Sequence, residues 1–207
     1  MSALTKRGSK TRAKILEAAF ELFHEKGVHR TSPGDIIERS GTGKGQFYHY
    51  FGSKEGLVHA VLQQLIEQLR NDDMCAICAD IKSLTDLENW FEQYIGMVKS
   101  FNMERACPIG QIASEIGTDQ ELLRQDVNLI FELVSQKISQ LFLVMQAKGE
   151  LNQNADPAAL AEFCLSALQG GAILAKTKRS IVPLENVSRE VMSHIRSYSS
   201  VESPQPA

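Results

Sequence analysis

The apolar residues of this chain keep one spacing from end to end, and it is the spacing of a helix. In TRAKILEAAFELFHEKG, Ile15, Leu16, Ala19, Leu22 and Phe23 fall at i, i+1, i+4, i+7 and i+8, which is one face of an α-helix. Leu57, Val58, Val61, Leu62, Leu65 and Leu69 repeat the pattern. So do Leu84, Leu87, Phe91, Tyr94, Val98 and Phe101, and then Leu122, Leu123, Ile130, Phe131, Val134, Ile138, Leu141 and Met145. No stretch alternates apolar and polar as a half-buried strand does. The expectation is an all-α fold of about nine helices.

Punctuation residues divide these faces. Gly27 ends the first helix. Ser32 caps the second, with Pro33 at its first position and Asp35 in its first turn, and Gly41 stops it. Lys44 to Phe51 make a short third helix, and Ser53 caps a fourth. CPIGQIASEIG reads as a short sixth helix, Asp119 as the cap of a long seventh, and Pro157 as the first turn of an eighth. Val187, Val191 and Ile195 lie on one face of a ninth, within ENVSREVMSHIRSY. The polar, proline-containing tail 199–207 is expected to be disordered.

Charge is divided unevenly. The net value is −3, yet residues 1–55 carry ten Lys/Arg against six Asp/Glu, and the remainder twelve against nineteen. A small basic module joined to an acidic body is the expectation, with boundaries at 1–55 and 56–198. No uninterrupted apolar run approaches the roughly 20 residues that span a bilayer. The first residues have no apolar segment of the secretory kind. The expected location is the cytoplasm, without a membrane partner, and the four cysteines are expected to be reduced thiols.

The aromatic run GTGKGQFYHYFGSKEGL sits in the basic part. Wound at about 100° per residue, Phe47 and Phe51 share one face and can anchor in a small core with Leu16, Phe20, Phe23 and Ile36. The opposite surface presents Lys44, Gly45, Gln46, Tyr48 and His49. All but the glycine can hydrogen-bond to phosphates or base edges, and glycine permits close approach. Two short helices joined by a glycine turn describe a helix-turn-helix, whose second helix enters the major groove of DNA. A three-helix bundle with an aromatic corner and no DNA role is the plainer alternative.

TSPGDIIERSGTGKGQFYHYFGSKEGL, with the preceding AFELFHEKG, resembles the DNA-binding domain of TetR-family transcriptional regulators over roughly residues 10–60. The resemblance implies an all-helical homodimer with a ligand-binding body: a repressor of double-stranded operator DNA released by a small-molecule effector. It places phosphate contacts on Tyr48, His49 and Lys54, with Ser32 at the start of the second helix, and base reading on Lys44, Gly45 and Gln46. Gly43 departs from the capping serine usual there, and Gln46 from a threonine or small residue. Glutamine suits adenine. A DNA-binding architectural or cell-division factor on the same fold is the alternative function.

The body is less explicit. ACPIGQIASEIG and ALQGGAILAK are similar to a subset of these regulators that respond to reactive electrophiles or flavonoid-like aromatics. Trp90, Tyr94, Met97 and Phe101, with Phe131 and Phe163, either line an effector pocket or are core. Cys107, before Pro108, sits at a helix N-terminus, where a thiolate is favoured; it is either a nucleophile that senses electrophiles or a small capping residue with an inert thiol. Gly170 and Gly171 imply either close helix approach or a kink. The resemblance puts the dimer interface on the last two helices, as a four-helix bundle, with Gly170, Gly171, Leu174, Val191 and Ile195 as candidates. Cys75 and Cys78 form one CxxC, too few ligands for zinc. No metal-binding histidine spacing, nucleotide fingerprint or catalytic Ser/His/Asp set appears. Neither a cofactor nor an enzymatic activity is expected.

Overall fold

The computed structural model describes residues 6–71 and 81–199. Cys75, Cys78 and the tail beyond Ser199 lie outside the described residues. Nine helices occupy them: α1 (Lys6–Lys26), α2 (Pro33–Ser40), α3 (Lys44–Phe51), α4 (Lys54–Arg70), α5 (Leu84–Ser100), α6 (Pro108–Glu115), α7 (Glu121–Ala147), α8 (Pro157–Lys178) and α9 (Val182–Arg196). There is no strand among the described residues, only an isolated antiparallel bridge between Leu151 and Ser199.

Two compact units emerge. One comprises residues up to Gln68 together with Cys107–Ile130; the other comprises Leu69–Ala106 and Phe131 onward. In the first, α1 packs on α2, α3 and α6. Its core holds Ile15, Leu16, Phe23, Ile36, Phe47 and Phe51 from the first three helices, with Leu57, Val58, Ile112 and Leu123. Phe20 is half-buried. In the second, α9 lies along α8 and touches α5.

Caps explain most boundaries. Asp156 Oδ1 accepts the N–H of Ala158 at 2.9 Å and of Ala159 at 3.2 Å, which fixes the start of α8. Two starts differ from expectation. Helix α7 begins after Gln120, whose carbonyl accepts the first helical bond from Arg124 N–H at 3.1 Å, so Asp119 is not its cap. Helix α9 begins three residues before Glu185 because Pro183 already supplies a first-turn residue.

Two helices are apolar over much of their length. By length and composition alone, α7 and α8 are long and apolar enough to cross a bilayer. In α8, Glu162 is the one charge between Pro157 and Leu174. Part of each helix is used within the protein, and in α8 Leu160, Ala161, Cys164, Leu168, Ala172 and Ala175 are buried.

Candidate nucleic-acid interface

The approach to α2 is fixed by a stitched loop. Gly27 adopts φ +83 and donates its N–H to Phe23 O at 3.0 Å. The wholly buried Thr31 donates its hydroxyl to Gly27 O at 2.6 Å. Ser32 and Asp35 then form a reciprocal cap. The Asp35 N–H donates to Ser32 Oγ at 3.2 Å, and the Ser32 N–H to Asp35 Oδ2 at 2.7 Å. Lys26 Nζ lies 2.9 Å from the same carboxylate. The hydrogen bond from Lys26, then those from Ser32, hold the Asp35 carboxyl down at about 2. Arg39 bridges to Glu21 at 3.3 Å and Glu25 at 3.0 Å, tying α2 to α1.

Gly41, at φ 63, closes α2 in the left-handed conformation and turns the chain toward α3. Helix α3 buries Phe47 fully and Phe51 almost so. Their rings lie 6.0 Å apart, and the Arg12 guanidinium covers Phe51 at 5.5 Å. With these two phenylalanines inward, Lys44, Gly45, Gln46, Tyr48 and His49 are all exposed. A Cβ at Gly45 would meet nothing within 4 Å, so a flat, open spot interrupts the polar surface.

Gln46 does something that was not expected of it. Its Oε1 accepts the N–H of Gly43 at 2.9 Å. This is half of a capping box, and it replaces the missing serine from the other side. The glutamine spacing, three residues after the cap, carried the signal. The side-chain amide N–H groups stay available for an acceptor.

Lys54, at the start of α4, is half-buried, and its ammonium reaches His29 O at 3.4 Å. Burial draws its pKa below the usual lysine value, against the pull of Glu115 and Asp35. Beside it, Gly56 admits no side chain, because a Cβ would sit 2.2 Å from Phe51 O. That close approach locks α4 against the end of α3.

The body's candidates divide. Trp90 and Tyr94 are buried in α5, while Met97 and Phe101 are half-buried, with the Arg105 guanidinium 4.6 Å over the Phe101 ring. The Trp90 indole N–H has no protein acceptor among the described residues. Phe131 is half-buried in α7. Phe163 is 43% exposed, and its ring meets His194 of α9 at 5.2 Å. The inward face of α8 is taken by Leu160, Ala161 and Cys164, so Phe163 is corrected from pocket wall to outer surface. Cys107 caps α6, its Sγ accepting the Gly110 N–H at 3.4 Å. Burial pushes the Cys164 thiol up to about 12, which makes it inert.

Three interface candidates are likewise corrected. Gly171 is buried against α9 of its own chain: a Cβ there would lie 3.1 Å from Leu184 Cδ1 and from Val187 Cγ2. Val191 and Ile195 are buried on the matching face of α9. They hold α8 to α9 within one chain. Gly170 and Leu174 point outward, with Phe163 and Ile173.

Comparison with known proteins places this architecture. Residues 15–61 match the family described as bacterial regulatory proteins, tetR family. Residues 83–190 match the LmrA/YxaF-like transcriptional regulator C-terminal domain. An uncharacterized HTH-type transcriptional regulator in the lacX 3' region of Lactococcus lactis subsp. lactis is 28% identical, over 85% of this chain and 88% of that one. The HTH-type transcriptional repressor DhaR of Mycobacterium sp. (strain GP1) is 25% identical, over 84% and 86%. The crystal structure of a regulatory protein TetR from Rhodobacter sphaeroides superposes with a TM-score of 0.77 at 25% identity, over 89% of this chain and 98% of that one.

Proposed function

Because the chain belongs to the TetR family of bacterial transcriptional regulators, we propose that it is a repressor that grips a palindromic operator as a homodimer and releases it when an effector occupies its helical body. The observation that carries this reading is α3: two phenylalanines anchor it, and the five exposed positions Lys44, Gly45, Gln46, Tyr48 and His49 offer only polar side chains and a glycine. Lys44, Gly45 and Gln46 then face base edges, while Tyr48, His49 and Lys54 take phosphates, as a recognition helix requires. The Ser32 cap orients α2 on the backbone. The DNA head spans 1–55 and the body 56–198. Repression is favoured over activation because relatives such as DhaR bear that description.

Helix α8 supports the dimer. It is apolar all round, and a helix of that kind needs cover on more than one side. Its inner face packs on α9, and its outer stripe of Phe163, Gly170, Ile173 and Leu174 fits the same stripe of a second copy. The effector reading rests on α5 and α6. Trp90 offers a buried donor, which suits an aromatic or carbonyl-bearing molecule with an acceptor. Cys107 offers a half-buried thiol at a helix start, which suits an electrophile.

The experiment is selection of bound fragments from random DNA by the purified full chain. A palindromic consensus with two equal half-sites is expected. Retention of unrelated sequences with no shared motif would sink the operator reading and favour an architectural role.

A further inference from the structure

The main chain of His29, between α1 and α2, is held on both sides. Its N–H donates to Glu115 Oε2 at 2.7 Å, from a residue 86 positions away in sequence. Its carbonyl accepts from Lys54 Nζ at 3.4 Å. Glu115 is itself fixed. Its Oε1 accepts from Gln111 Nε2 at 3.3 Å, and the carboxylate lies so close over Gly27 that a Cβ there would sit 2.2 Å from Oε1. Lys54 and Glu115 face one cavity of about 240 Å³, whose other walls are apolar at Val28, Val58, Ile112 and Leu123 and polar at Glu55 and Gln120. Apolar walls weaken solvent screening, so the two charges feel each other more than a surface pair does. Burial and the opposing pull of Glu115 on the Lys54 ammonium describe the same arrangement.

We infer that Glu115 is a positioning residue for DNA binding: it holds the α1–α2 loop and keeps the Lys54 ammonium turned onto His29, so that a DNA phosphate must compete with a carboxylate of the protein's own chain. The inference rests on the reading of Lys54 as a phosphate contact. An ammonium has three donors and a flexible stem. It can leave the His29 carbonyl for a phosphate oxygen without unfolding anything. What opposes that exchange is negative charge near the ammonium, Glu115 first and then Asp35, so the Glu115 charge weakens the hold on all DNA, whatever its sequence.

Glu115→Gln separates charge from shape. The amide oxygen still accepts the His29 N–H, and the side chain keeps its length. Binding of the full-length protein to operator and to unrelated duplex is measured by fluorescence anisotropy across a salt series. Glu115→Gln is expected to tighten both about three- to tenfold and to steepen the salt slope by up to roughly one ion. In a Lys54→Ala background the same substitution is expected to change neither. An unchanged Glu115→Gln, or a gain that survives Lys54→Ala, would overturn the inference. So would weaker binding together with a lower melting temperature, which would make Glu115 only a structural clamp. Lys54→Ala that binds like the parent sinks the phosphate reading itself. Lys54→Ala that binds weakly, beside an unchanged Glu115→Gln, sinks the inference alone.

Discussion

At the scale of single residues, Gln46 carries two tasks with one side chain. Its oxygen closes the start of α3 on Gly43, and its amide N–H groups face outward. An adenine N7 is an acceptor, so the outward half of the amide still fits it, and the full two-bond pattern with N6 would use the second lone pair of the oxygen that already accepts from Gly43. Gln46→Ala is therefore expected to lose about 1–3 kcal/mol of discrimination at one base pair in each half-site. It should also lower the melting temperature slightly, because the Gly43 N–H loses its partner. Selection profiles and thermal melts of the two proteins check both effects. An unaltered base preference with a lowered melting temperature would leave Gln46 as a cap alone. The anchoring of Phe47 and Phe51 was legible from their spacing. The second task of Gln46 was legible too, as a glycine followed three residues later by a glutamine. The bond between His29 and Glu115 was not, since no local pattern reports a partner 86 residues distant.

At the scale of elements, helices were legible because an amphipathic face leaves its period in the sequence. Helix α8 shows where that signal ends. It is apolar on nearly all sides, so its length and its Pro157 start mark the helix, but no period says which face meets its own chain. Two adjacent glycines implied close approach of another helix, and the resemblance assigned that helix to a second subunit; Gly171 lies instead against Leu184 and Val187 of its own chain. Neighbouring Gly170 has open space around it. Gly171→Leu is expected to overpack the α8–α9 contact and cost about 1–3 kcal/mol or more, lowering the melting temperature. Gly170→Ala is expected to raise it, by about 1 kcal/mol of helix propensity. Equal effects of the two substitutions in a melting series would contradict this placement.

Helix α6 invites a second test at this scale. Cys107 caps it through sulfur, and serine caps at least as well. Cys107→Ser should thus keep the fold and DNA affinity of the parent. Alkylation of the parent thiol would add bulk where the Gly110 N–H is held, and is expected to release DNA. Treatment with an aldehyde or quinone, followed by gel retardation, separates the proteins. If both are released alike, the thiol is not the sensor, and a non-covalent effector beside Trp90 becomes the better account.

At the scale of the molecule, one short helix in one groove holds DNA weakly, so the reading requires two heads on one duplex. Each chain offers the stripe of Phe163, Ile173 and Leu174, with Ile173 61% exposed. A two-fold contact presents the same patch from both copies, so a single substitution acts twice at one interface. Ile173→Arg places two guanidinium groups against each other there, while leaving the inward face of α8, from Leu160 to Ala175, as it was. The variant is expected to sediment as a monomer with its helical content retained. Its affinity for a single half-site should match the parent's, and its affinity for the full palindrome should fall at least about a hundredfold, because the effective concentration of the second head is lost. A variant that stays dimeric would move the interface to another surface. A monomer that still binds the palindrome as tightly as the parent would break the link between dimer and operator.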